Sequence, residues 1–173
     1  MSKYLLDSNI FITPHRSYYS FDFANSFWEQ LANILRSKKA TILKVVSDEI
    51  LKDGEDRLAK WLKNLKKDIK VLSVSRNQKI HDNYARVLQY VQTCGNYKDN
   101  AILNWAKEDI ADPWLIATAM SDDDYKIVTD EQSAGGFSKK NPHNNAKIPD
   151  VANYFGVKCI TLFDFMRAMN FKL

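Results

Sequence analysis

The stretch KYLLDSNIFI, residues 3–12, decides how the rest of the chain is read. Three apolar residues, Tyr4 to Leu6, run straight into Asp7. Ser8 and Asn9 follow, and the chain turns apolar again from Ile10 to Ile12. A lone carboxylate inside an apolar run is costly unless it is paired, hydrogen-bonded or bound to a cation. A short buried strand that stops at Leu6 avoids that cost, because it delivers the charge of Asp7 to the edge of a sheet. The question is then whether other strands end in the same way.

Working outward, apolar periodicity predicts a helix over residues 22–37, with Phe23, Phe27, Leu31, Ile34 and Leu35 at helical spacing. ATILKVV (40–46) is β-branched and reads as a strand, with Ser47 placed to cap the helix after it. EDRLAKWLKNLKK (55–67) is amphipathic: Leu58, Trp61, Leu62 and Leu65 make the apolar stripe, and Lys60, Lys63 and Lys67 lie opposite. Residues 69–75 read as a short strand or an extended connection, and 76–93 as a helix. Two more helices are expected at 99–107 and 112–120. YKIVT (125–129) is a strand, 149–155 a short helix, VKCITL (157–162) a strand and 163–170 a closing helix. Strands separated by helices imply crossover connections and a mainly parallel sheet. The expected architecture is therefore a three-layer α/β/α sandwich formed by residues 1–173 as a single domain. In such sheets ligands bind beyond the carboxyl ends of the strands.

Acids follow those ends repeatedly. Asp7 comes after YLL, Asp48 and Glu49 after ILKVVS, and Asp130 after IVT. Asp112 opens the helix in IADPWLIATA shortly before the strand that leads to Asp130. Each acid has a plain structural reading. Asp112 before Pro113 makes a good helix start. Asp48 and Glu49 suit the first turn of a helix, and Asp7 and Asp130 suit turns. Jointly those readings weaken, because four converging carboxylates repel one another. No Arg or Lys neighbours Asp7 or Asp112 in sequence. A divalent cation relieves the repulsion, and oxygen ligands without His or Cys suit Mg²⁺ or Mn²⁺ better than zinc.

Composition excludes several alternatives. Of 173 residues, 45% are hydrophobic and 27% charged, ordinary for a globular chain. The net charge of +4 permits a polyanionic partner without requiring one. The two cysteines, Cys94 and Cys159, form no CxxC motif, which fits reduced thiols in a cytoplasm better than a disulfide framework. No apolar run approaches the ~20 residues that span a bilayer. Asp7 arrives too early for a signal peptide, so no membrane association is expected.

The ordered set of YLLDSNIFI, the acid of SDEI, ADPWLIATA and IVTDE resembles the PIN-domain nucleases over nearly the whole chain. The longer C-terminal part, KIPDVANYFGVKCITLFDFMR, is similar to a bacterial and archaeal branch of that family in which many members are toxins of toxin–antitoxin pairs. The resemblance implies a metal-dependent endoribonuclease of type II toxin kind. Its RNA substrate would be cut with Mg²⁺ or Mn²⁺, and a small antitoxin protein would bind it. Asp7, Glu49, Asp112 and Asp130 would serve as catalytic metal ligands. Position 49 competes with Asp48 beside it and with Glu55 downstream.

Ser8 and Asn9 either orient Asp7 or merely shape its turn. SAGGFSKKNPHNNAK (133–147) reads as a loop that overhangs the site, with Lys139, Lys140, His143 and Lys147 as candidate phosphate contacts against the plainer reading of a solvated loop. The aromatics of RSYYSFDF (16–23) suit base stacking, core packing or a homodimer surface. Two other functions compete with that reading. A non-catalytic nucleic-acid-binding or RNA-processing protein of the same fold would tolerate loss of the acids, which are all present. A phosphatase of the haloacid dehalogenase type needs a second Asp two residues after the first, where this chain has Asn9. A P-loop enzyme is excluded by the absence of a Gly-rich GK[ST] loop.

Overall fold

Tyr4, Leu5 and Leu6 are all buried, and the strand they form is the middle of the sheet. The computed structural model describes residues 2–52, 54–136 and 138–173. Strand β1 (Lys3–Leu6) lies between β2 (Ala40–Leu43) and β4 (Tyr125–Val128), with β3 (Val71–Leu72) beyond β2 and β5 (Lys158–Ile160) beyond β4. Every pairing is parallel, in the order β3-β2-β1-β4-β5. Strands buried on both faces read as continuous apolar runs rather than alternating ones, as YLL and IV do here.

Helices α1 (Asn9–Ser17), α2 (Asn25–Arg36), α3 (Lys44–Leu51) and α4 (Arg57–Leu65) follow β1 and β2. Helices α5 (Gln78–Thr93), α6 (Asp99–Trp105) and α7 (Asp112–Ala119) separate β3 from β4. Then α8 (Ile148–Tyr154) precedes β5, and α9 (Leu162–Ala168) closes the chain. The result is a three-layer α/β/α sandwich. The chain winds from β1 out to β3, then returns to the other side of β1 for β4. The order therefore reverses at β1, and the carboxyl ends of β1 and β4 flank the crevice where open parallel sheets bind ligands.

Four local features depart from the sequence expectations. Strand β2 stops at Leu43, and α3 begins at once, so Ser47 lies inside the helix rather than capping it. Its buried Oγ has no hydrogen-bond partner among the described residues. Val46 and Ile50 gain burial as helical residues, and that burial overrides the β preference of Val45 and Val46. Helix α2 starts at Asn25, which leaves Phe23 outside it and 73% exposed. Helix α1 runs against its local sequence, in which Ser8–Asn9 resembles a turn and Pro14 normally breaks a helix. Its formation is explained by the burial of Ile10, Phe11 and Pro14 on one side.

The aromatics of 16–23 divide. Tyr19 stacks on Phe27 at 4.6 Å and Phe21 on Trp28 at 4.2 Å, so those two rings are core packing rather than a platform for bases. Among the described residues no helix is long and apolar enough to cross a membrane.

Candidate acidic site

Asp7 leaves β1 just after its backbone N–H bonds to Val128 O at 3.1 Å. Its carboxylate is buried and doubly held: Ser8 N–H donates to Oδ1 at 2.7 Å and the Thr129 hydroxyl to Oδ2 at 2.8 Å. Thr129 is the hub of this corner. Its Oγ1 also accepts from Asn9 Nδ2 at 3.1 Å and from Glu131 N at 3.2 Å, while Asn9 Oδ1 accepts from Asp130 N at 3.1 Å. The start of α1 and the exit of β4 are thus tied together through Asn9 and Thr129. Asn9 acts beyond its own turn, while Ser8 contributes its backbone N–H to Asp7.

A cavity of about 290 Å³ opens beside Asp7, and Glu49, Asp112 and Glu131 share its wall. Glu49 comes from the second turn of α3. Its rivals point elsewhere, Asp48 to Lys44 and Glu55 to Lys60, and neither lines this cavity. Asp112 is the first residue of α7, behind an Ala111 cap that makes no side-chain capping hydrogen bond. Its carboxylate has neither hydrogen bond nor ion pair among the described residues. The plain reading as a helix cap therefore does not account for it.

Asp130 is not part of this group. Its Oδ1 accepts from Leu162 N at 3.1 Å at the start of α9, and its Oδ2 accepts from the Tyr18 hydroxyl at 3.4 Å. The next residue, Glu131, faces the cavity instead. It accepts from Lys147 Nζ and from Ile148 N, each at 2.9 Å. Successive residues of an extended chain point to opposite sides, so of two adjacent acids only one reaches the crevice.

The 133–147 loop, apart from Phe137, which lies outside the described residues, borders the acids at its end, where Asn145, Ala146 and Lys147 share a wall with Asp112 and Glu131. Reciprocal backbone bonds pin it to the α5–α6 connection: Lys98 N to His143 O and His143 N to Asn96 O, each 2.9 Å. Lys139 packs over Gly95, where an added Cβ would lie 3.2 Å from the lysine Cγ. Neither Lys139 nor Lys140 lines the acidic cavity, whereas Lys147 reaches its acids through Glu131.

Burial is the main electrostatic fact. It pushes the Asp7 carboxyl up to about 6, against the pull of the Thr129 and Ser8 hydrogen bonds and with added repulsion from Glu131 and Glu49. It pushes Asp112 up to about 7, with Asp7, Glu131 and Glu49 adding to the shift and Lys147 opposing it. The donor set is entirely oxygen and suits a hard divalent cation. As the side chains stand, no three described His, Cys, Asp or Glu residues form a closed metal-holding group.

The chain belongs to the family described as a domain of unknown function, DUF4411, whose family model matches residues 4–173. No curated protein matches it.

Proposed function

We propose, taking the carboxylate cavity and the resemblance of the acidic motifs to those of PIN-domain nucleases as the premise, that this protein is a divalent-metal-dependent endoribonuclease. The observation that supports it most is the shared cavity itself. Asp7, Glu49, Asp112 and Glu131 face one space at the switch point of the sheet, and burial and mutual repulsion raise the carboxyl pKa of two of them. These four residues would hold Mg²⁺ or Mn²⁺. When bound, such ions supply an activated water and neutralise charge on the leaving oxygen of a phosphodiester.

The chain's own groups do the positioning. Thr129 and Ser8 N–H fix the Asp7 carboxylate at the strand end, and Asn9 keeps Thr129 in place. The backbone N–H of Ile148 and the Lys147 ammonium hold Glu131 at the opposite wall. Asp112 has no such partner among the described residues and already lies in the cavity wall. With its carboxyl raised to about 7, it holds a proton through part of the neutral range and gives it up when a cation arrives.

The test is cleavage of mixed RNAs by the purified chain with Mg²⁺, with Mn²⁺ and with EDTA, alongside Asp7→Asn. Metal-dependent cutting that disappears in a folded Asp7→Asn protein supports the reading. Wild-type rates in that variant would overturn it. The sequence resemblance extends the proposal to a toxin restrained by a small protein partner, whose cationic side chain would compete for the same oxygens. Expression of this chain alone should then slow growth, and co-expression of the restraining protein should restore it.

A further inference from the structure

The acidic cavity does not end at its carboxylates. On one side it shares Glu49, Lys52 and Asp109 with a second cavity of about 440 Å³. That space is walled by Val45, Val74, His81 and Trp114. Trp114 sits two residues after Asp112 on α7. Its indole is stacked on Tyr84 at 3.8 Å with an interplanar angle of 18°, and His81 meets it edge-on at 5.2 Å. Tyr84 is half-buried and backs the indole, so the ring is held in one orientation before any ligand arrives. The Nε2 atom of His81 is buried with no hydrogen-bond partner among the described residues.

Charge around this groove is mostly self-cancelling. Lys44 pairs with Asp48, and Lys52 pairs with Asp109 at 2.9 Å. Glu108 has no ion-pair partner among the described residues, and Glu49 belongs to the acidic site. The groove therefore offers no excess positive charge to a phosphate. It offers an aromatic plane, two valines and a ring nitrogen, which suit a neutral flat heterocycle. On the other side, the acidic cavity shares Asp112 and Glu131 with a cavity of about 200 Å³ that carries Asn104, Asn145 and Lys147. The acidic cavity thus adjoins both neighbours through shared walls, so a chain whose phosphate faces the acids has a cavity beside it on each side.

We propose that the groove floored by Trp114 is a nucleobase subsite, in which one base of a single-stranded nucleic acid stacks on the indole while the neighbouring phosphodiester faces the carboxylates. This rests on the nuclease reading for the role of the phosphate, but the stacking itself does not need catalysis. Base–aromatic stacking depends on ring area, so purines should bind more tightly than pyrimidines.

The experiment titrates the full-length protein with single-stranded hexa-adenylate and hexa-uridylate in Ca²⁺ buffer, reading tryptophan fluorescence and, separately, anisotropy of labelled oligonucleotides. Hexa-adenylate should quench the wild type and leave the fluorescence of Trp114→Phe almost unchanged. Trp114→Ala, with its fold checked by circular dichroism, should lose about tenfold or more in affinity, while Trp114→Phe retains most of it. In Mn²⁺ the same Ala substitution should raise KM far more than it lowers kcat. Wild-type affinity in Trp114→Ala, or equal quenching in Trp114→Phe, overturns the subsite even if RNA is cut. Quenching and affinity loss without any cleavage uphold the subsite and overturn the nuclease reading. Absence of oligonucleotide binding in the wild type overturns this proposal and leaves the groove to a protein ligand.

Discussion

Replacing Asp112 by Asn should stabilise the metal-free protein at alkaline pH. The carboxylate starts α7 with no hydrogen bond or ion pair among the described residues, and its pKa rises from the ordinary 3.8 to about 7. At 1.36 kcal/mol per unit, ionising it in the folded chain costs about 4 kcal/mol more than in the unfolded chain. An amide of the same size stays neutral at every pH and, buried, costs about what the protonated acid costs. The expected gain at pH 8 is therefore about 4 kcal/mol, or ~8–16 °C in Tm for a chain of this length. The sign follows from linkage. The folded pKa lies above the unfolded one, so the penalty is absent below about pH 4, grows as pH rises through that interval, and is complete above the folded value. Thermal unfolding in EDTA should therefore give nearly equal Tm values for wild type and Asp112→Asn at pH 4, and a higher one for the variant at pH 8. Mn²⁺ at pH 8 should reverse the order, because the wild type gains binding energy that the variant lacks. A variant no more stable than wild type at pH 8 in EDTA would refute the repulsive cluster.

Other outcomes separate individual residues. Glu131→Gln should weaken Mn²⁺ binding in calorimetry, whereas Asp130→Ala should lower Tm through its lost contacts with Tyr18 and Leu162 N and leave Mn²⁺ affinity nearly intact. Thr129→Val should reduce Mn²⁺ affinity about 10- to 100-fold by releasing Asp7, and Thr129→Ser should restore most of it. Mn²⁺ binding near pH 6 should release protons from Asp7 and Asp112, seen as a dependence of the calorimetric heat on buffer ionisation enthalpy, and this dependence should fade by pH 8.5.

Much of the fold was legible in the chain because local apolar patterning and burial agree there. YLL, TIL and KIV are short buried runs, and the amphipathic stretches between them are the helices that cover the sheet. The same order placed Asp7 at a strand end and Asp112 at a helix start, and both face the crevice. Helix α1 escaped because Ser8–Asn9 and Pro14 argue locally for a turn, and only the burial of Ile10, Phe11 and Pro14 against the core decides otherwise. The choice of Glu131 over Asp130 was equally closed to sequence reasoning. Two adjacent acids differ only in which way their side chains leave the backbone, and that direction is set by β4 ending against β1, by Thr129 bridging Asp7 and Glu131 N, and by Leu162 N drawing Asp130 to the far side. Sequence spacing determines which acids can reach the sheet edge; the tertiary hydrogen bonds decide which carboxylate turns into the cavity.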